Sequence, residues 1–169
     1  MDMPTRFSIN LCAITDRPIL QLGSQGPFVK ELKDLLLNSA IIDAGIAGFN
    51  ITDHFNEKTE FVVKVFQCQV FLKPDGIVGI KTWKALCADR PIDLPTLSRG
   101  DRDVLISQVQ HRLSLNGYPG GAIDGQFGAK TEAAIRAFQT DKRLIIDGIV
   151  GYQTWKALSI LFGGCELSS

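Results

Sequence analysis

An excess of charge of either sign is missing from this sequence: 18 Lys and Arg stand against 18 Asp and Glu, a formal net charge of zero. That balance argues against a polyanion ligand, because affinity for nucleic acid rests mainly on clustered Lys and Arg. Nor is there a basic run that would suit an anionic membrane surface. Long apolar runs are absent as well: no stretch approaches the ~20 residues that cross a bilayer, so no membrane insertion is expected. The first residues, MDMPTRFSINLCAITDRP, contain no apolar h-region, so no secretory signal is expected in this sequence. Histidine is scarce too, with only His54 and His111. The four cysteines, Cys12, Cys68, Cys87 and Cys165, form no C-x-x-C pair, which disfavours a zinc site. They read as thiols in small apolar surroundings, with a disulfide among them as the alternative, which sequence cannot assign. His54 and Glu57 make an H-x-x-E without the second His of H-E-x-x-H, short of the three ligands of a catalytic zinc. No G-x-S-x-G, Cys–His signature or phosphate-cradling loop occurs. Metal, cofactor and catalytic site are therefore all expected to be absent.

What the sequence has instead is a repeat. Residues 75–86 read DGIVGIKTWKAL and residues 147–158 read DGIVGYQTWKAL. Asp followed by Gly marks a tight turn, since the carboxylate can close on nearby backbone N–H groups and Gly accepts positive φ. Gly79 and Gly151 stand as N-caps, with Val78 and Val150 before them and Trp83 and Trp155 one turn inside, the spacing of a hydrophobic staple. Each copy predicts a turn that launches a short helix, with Asp75, Gly76, Gly79, Thr82 and Trp83, and Asp147, Gly148, Gly151, Thr154 and Trp155, in architectural roles. Asp124 to Thr131 repeats the device as D-G-x-Φ-G-x-x-T.

The rest of the chain leads up to these copies. Residues 1–19 form an N-terminal arm in which Leu11-Cys12-Ala13 and Asp16-Arg17-Pro18-Ile19 echo residues 86–92. Repeat 1 spans 20–87: Val29, Leu32 and Leu36 predict a helix of about 27–38, and Val62, Val63 and Phe66 a second of about 57–71. Pro74 stops that run and the third helix starts near 80. Residues 88–96, ADRPIDLPT, form a linker. Repeat 2 spans 97–162, with Leu105, Val109 and Leu113 on its first helix, Ala134, Ile135 and Phe138 on its second, and Trp155, Leu158 and Phe162 on its third. Residues 163–169 are a polar tail. The expected fold is all-α: two tandem three-helix units joined by a short linker.

Laid out this way, both repeats resemble the peptidoglycan-binding-like domain of bacterial and phage wall hydrolases. The family pattern is L-x-x-G, a helix with an LQ-like pair, D-G-x-F-G-x-x-T, a helix ending F-Q, then D-G-x-V-G-x-x-T-W. Repeat 2 supplies Leu97, Gly100, Val109-Gln110, Asp124 to Thr131, Phe138-Gln139 and Asp147 to Trp155. Repeat 1 supplies Gly23, Leu32, Phe66-Gln67 and Asp75 to Trp83, but reads Thr52-Asp53-His54-Phe55-Asn56 where the family has D-G-x-F-G. The resemblance implies a non-catalytic peptidoglycan-binding module, acting at the cell wall or in the periplasm, with a cell-wall hydrolase as an attached or associated partner. Two readings stand beside it: a protein–protein adaptor with repeat 1 adapted to a partner, and an intact small lysin, for which the sequence offers no site.

The candidate ligand contacts are Asp124, Gly125, Gln126, Phe127 and Gly128, whose turn keeps backbone approachable at a helix start. Lys130, Arg136 and Arg143 are cations that could pair with stem-peptide carboxylates. Tyr118 and Tyr152 are the tyrosines expected at the surface, whereas Trp83 and Trp155 are expected in the core. Because Asp53 and Asn56 replace two glycines of the turn, repeat 2 is expected to bind and repeat 1 to support it.

Overall fold

The computed structural model describes residues 16–42, 49–161 and 163. Among them are six helices, α1 (Pro27–Asn38), α2 (Glu57–Gln69), α3 (Ile80–Ala88), α4 (Val104–Leu115), α5 (Ala129–Asp141) and α6 (Tyr152–Leu158). The β-pairing among these residues is confined to isolated bridges, so the all-α reading holds. Two core clusters match the two repeats: Val29, Leu32, Leu36, Val62, Val63, Phe66 and Trp83 anchor the first, and Val109, Leu113, Ile135, Phe138, Trp155 and Leu158 the second. On α4 the inward residue of the first turn is Ile106, not the half-buried Leu105 that the spacing suggested. The second helix of repeat 1 stops at Gln69 rather than 71, and the third helix of repeat 2 ends at Leu158, with Phe162 outside the described residues.

The helix starts follow the sequence. Gly79, Gly128 and Gly151 are N-caps without any side-chain cap bond, while Asn56 accepts the Thr59 N–H in the usual way. Ahead of α3 and α6 an extended segment crosses the repeat. Leu20 exchanges both backbone bonds with Val78, and Leu97 does the same with Val150. Further along, Gly23 and Phe55, and Gly100 and Phe127, are joined by 2.9 Å bonds. The two indoles tie the same segment down, Trp83 Nε1 donating to Pro18 O at 2.9 Å and Trp155 Nε1 to Pro95 O at 2.7 Å. Each repeat is thus three helices laced by one incoming strand-like segment.

The cysteines depart from expectation. Cys68 and Cys87 are both disulfide-bonded, and Cys12 and Cys165 lie outside the described residues. The thiol reading is therefore wrong for these two, and the disulfide alternative holds. Cross-linking is consistent with the size of each unit, because some 60 residues bury only about 60% of their unfolded surface and are marginal alone.

Glycine is required at the turn before α6. Gly148 has φ +73, and a Cβ there would lie 2.9 Å from both Glu132 Cγ and Arg136 Nε. Gly148→Ala is expected to lower stability by about 1–2 kcal/mol, chiefly from the left-handed backbone, since the two side chains can swing aside. An unchanged chemical-denaturation midpoint would show that the turn relaxes.

Candidate functional site

Each D-G turn is built around one buried glutamine from the helix before it. In repeat 2, Gln139 accepts the Gly148 N–H at 2.9 Å through Oε1. Its Nε2 donates to Asp147 Oδ1, Ile149 O and Thr154 Oγ1 at 2.8, 3.0 and 3.2 Å, two hydrogens shared among three acceptors. Asp147 closes the turn by accepting the Ile149 N–H at 2.9 Å. Gln67 repeats this in repeat 1, with Gly76, Asp75, Ile77 and Thr82. Gln110 on α4 does the same for the Asp124 turn: Oε1 takes the Asp124 and Gly125 N–H groups, and Nε2 reaches Asp124 Oδ1, Gln126 O and Thr131 Oγ1. Backbone N–H donation from Gln126 and Ile149, followed by the glutamine amides, holds the Asp124 and Asp147 carboxyls below the usual carboxylate range. Within each turn the donors are therefore already occupied, and the motif is first of all architecture.

The fourth turn, at Thr52–Asn56, breaks the pattern in a coordinated way. Lys33 is the seventh residue of α1, as Gln110 is of α4. Its ammonium donates to Thr52 Oγ1 at 2.7 Å and His54 O at 2.8 Å. Burial lowers its pKa, against the opposing pull of Asp53. A lysine has thus taken over the glutamine's place along with the loss of the glycines. His54 Nδ1 lies 2.7 Å from Asp53 Oδ1 at the surface. Asn56 uses its side chain on both the Thr59 N–H and hydroxyl. The end segments of the preceding loop, Ile41, Ile42 and Phe49, are buried in repeat 1's own core; residues 43–48 lie outside the described set.

In repeat 2 the incoming segment 97–102 runs between the Asp124 turn and the Asp147 turn, bonded to Phe127 on one side and to Val150 on the other. Arg99 lies 3.6 Å from Glu132, which Arg136 also meets at 3.1 Å, and Arg136 Nη1 donates to Ile146 O at 2.9 Å. These contacts make one continuous face from the segment, over the first turns of α5, to the loop before α6. Arg102 sits beside Asp124 and depresses its pKa further. Ile145, Ile149 and Tyr152 are exposed on the loop side, with the Arg90 guanidinium 4.7 Å from the Tyr152 ring centroid.

Of the residues singled out from sequence, Asp124, Gln126, Gly128 and Lys130 lie exposed on this face, and Gly125 is half-buried. Tyr152, 60% exposed, lies at the α6 end. Phe127 is 2% exposed and belongs to the core, so it offers a ligand only its backbone. Tyr118 is half-buried, not exposed: its ring meets Phe138 edge-on at 5.4 Å and its hydroxyl donates to Asp141 at 2.9 Å. Those partners, and Arg143 just beyond them, are at the C-terminal end of α5. Roughly 15 Å of helix separates them from Lys130. Trp83 and Trp155 are buried at 1% and 4% exposure and present no free ring face to a sugar. Sequence reasoning missed Arg99 and Arg102, and gave the glutamines no task. The usable signal was spacing: Gln67 and Gln139 each precede their Asp by eight residues.

With the fold and these turns in place, the family follows. The chain belongs to the "Putative peptidoglycan binding domain" family, whose model matches residues 25–86 and again 102–158. Among curated relatives, the N-acetylmuramoyl-L-alanine amidase CwlM of Mycobacterium tuberculosis is 30% identical over 159 residues, covering 86% of this chain and 38% of that protein. The zinc D-Ala-D-Ala carboxypeptidase of Streptomyces albus G is 43% identical over 67 residues, 37% of this chain and 26% of that one. The chain thus spans well under half the length of these two relatives. Among solved structures, the SleB N-terminal domain is 36% identical, covers 38% of this chain and 88% of its own, and has a TM-score of 0.37.

Proposed function

We propose that this chain is a non-catalytic module that binds peptidoglycan and holds itself, or an attached or associated wall enzyme, at the bacterial cell wall. The observation that carries the reading is that repeat 1 keeps one glutamine-held D-G turn and repeat 2 keeps two, with a polar face between them. Membership in a peptidoglycan-binding family supports the ligand class, and the amidase and carboxypeptidase relatives support a wall enzyme as partner. Among the described residues no helix is long and apolar enough to cross a membrane. Disulfides at Cys68 and Cys87 favour an oxidising compartment such as the periplasm or the cell exterior.

Repeat 2 is the binding unit in this reading. At the positions of Arg99 and Arg102, two and five residues after Leu97, repeat 1 carries Leu22 and Gln25 after Leu20. At Gly128 it carries Asn56, which spends its side chain on the helix it caps. Stem-peptide carboxylates would meet Arg99, Arg102 and Lys130, and the exposed ring of Tyr152 would lie against a sugar face. The grafts Arg99→Leu and Arg102→Gln together are expected to weaken binding to purified sacculi about tenfold, each charged contact being worth roughly 0.5–1 kcal/mol at this exposed site. Thermal stability should stay within about 0.5 kcal/mol, as for surface substitutions generally. Equal affinity in the graft would move the site elsewhere.

The adaptor reading draws on a feature of repeat 1, an open groove lined by Leu22, Asn56, Glu57 and Lys58. Co-sedimentation of the full chain with sacculi separates the two: pelleting supports wall binding, and a supernatant chain that instead retains a protein partner supports the adaptor. A zymogram of wall lysis tests the catalytic alternative.

A further inference from the structure

The residues that follow α3 of repeat 1 reach the ligand face of repeat 2. Asp89 caps α3 in the left-handed conformation, and its carboxylate accepts the Ser39 hydroxyl and the Ala40 N–H of the same repeat. Arg90 comes next and donates its backbone N–H to Ala85 O at 3.3 Å, so its main chain is tied to repeat 1. Its side chain crosses over: the guanidinium carbon lies 4.7 Å from the ring centroid of Tyr152, the first residue of α6. The two copies at 75–86 and 147–158 differ at two positions, and one of these is Ile80 against Tyr152. The aromatic ring thus stands in the copy that a cation from the other repeat can reach. Docking of the repeats fixes this approach. Arg112, 2% exposed on α4, donates from Nη2 to Cys68 O and from Nη1 to Gln69 O at the end of α2, both at 3.0 Å. Phe71 leaves α2 at φ +61 and is buried in the core of repeat 2, its ring edge-on to Trp155 at 4.7 Å. Within the linker, Ile92 packs on the first core and Leu94 on the second. Arg90 is held between these anchors, yet among the described residues its guanidinium makes one hydrogen bond, Nη1 to Pro91 O at 3.3 Å. Tyr152 stays 60% exposed with the cation over its ring.

We propose that Arg90 and Tyr152 form a saccharide subsite at the junction of the repeats, which repeat 2 does not complete by itself; resting on the wall-binding reading above, the subsite takes an N-acetylated sugar of the glycan. A pyranose of this kind offers an apolar C–H face and a rim of hydroxyl and acetamido oxygens. The Tyr152 ring suits the face, and the guanidinium N–H groups of Arg90 donate to the rim. Stem-peptide carboxylates are left to Arg99, Arg102 and Lys130. Repeat 1 has no counterpart, since Ile80 stands where the ring would be.

The test titrates the full-length chain with peptide-free glycan strands and, separately, with free stem peptide, each followed by amide chemical shifts. Arg90→Gln should weaken glycan binding about fivefold, the loss of one exposed hydrogen-bonded contact. Its affinity for the stem peptide and its melting temperature should match the parent's, as for surface substitutions generally. Tyr152→Ile, which installs the residue of repeat 1, should act in the same way and stands in if Arg90→Gln fails to fold. The double variant should bind glycan no more weakly than either single one, because the two side chains act as a unit. The Arg99→Leu and Arg102→Gln graft should show the opposite pattern, weaker for the peptide and unchanged for the glycan. The subsite is overturned if folded Arg90→Gln keeps the parent's affinity for glycan strands, or loses the stem peptide instead, which would make Arg90 a carboxylate contact. It is equally overturned if the unmodified chain pellets with sacculi but shows no shift with glycan strands at millimolar saccharide. In each of these cases wall binding itself survives, because the parent still pellets with sacculi and the graft still weakens it. A parent chain that stays in the supernatant sinks the wall-binding reading, and the subsite with it.

Discussion

Trp155→Ala is expected to remove about 3–5 kcal/mol from repeat 2, enough to unfold so small a unit near ambient temperature. Three losses combine. The indole is buried against the core of Val109, Leu113 and Leu158, and truncation leaves a cavity there. Its Nε1 holds the linker through Pro95 O, and its ring is the surface that receives Phe71. Trp155→Phe keeps most of the volume and gives up the hydrogen bond, so it should cost nearer 1–2 kcal/mol. Urea titrations followed by circular dichroism give both values. If Trp155→Ala leaves the midpoint in place yet abolishes wall binding, the ring is a ligand contact and its core assignment is wrong.

The second large effect is expected at Gln139. Gln139→Leu keeps the volume but deprives the buried Gly148 N–H of its acceptor and releases Asp147, Ile149 and Thr154. Leaving such groups buried without partners costs about 2–4 kcal/mol. The ionised Asp147 carboxylate is favoured in the folded state, so its contribution is present at neutral pH and fades as pH falls through the depressed folded-state pKa. Gln139→Leu should therefore flatten the acid limb of the stability profile as well as lower it. A variant with the parent's midpoint and the parent's acid limb would mean that water replaces the glutamine and that the turn does not depend on it.

The sequence made the helices legible because their signals are local. Apolar spacing at Val29, Leu32 and Leu36, a Pro stop at 74 and Gly caps before Trp83 and Trp155 each fix a few neighbouring residues, and the structure keeps them. Turn identity was legible as well, since D-G with a Φ-G two residues on has few other conformations. What joins one turn to another helix was not. Gln110 and Lys33 are polar residues on otherwise amphipathic helices, and nothing near them in sequence says that each points inward at a turn 14 to 21 residues away. Phe71 was hidden for the same reason: it looks like the last residue of an apolar helix face, but its contacts lie in the other repeat. Tyr118 was misjudged because its hydroxyl partner, Asp141, lies 23 residues on. The cysteines were unreadable, since pairing depends on geometry that spacing does not contain.

The central claim is that repeat 2 binds peptidoglycan on the face formed by segment 97–102, the Asp124 turn and the loop before α6. Titrating the isotope-labelled full chain with a defined disaccharide-peptide muropeptide, followed by amide chemical shifts, tests it directly. The account predicts saturable shifts concentrated at 97–102, 124–131 and 145–152, with the matching positions of repeat 1 near 20–25, 52–59 and 73–80 unmoved. Shifts centred on repeat 1, or none at millimolar muropeptide while the chain remains folded, would contradict it.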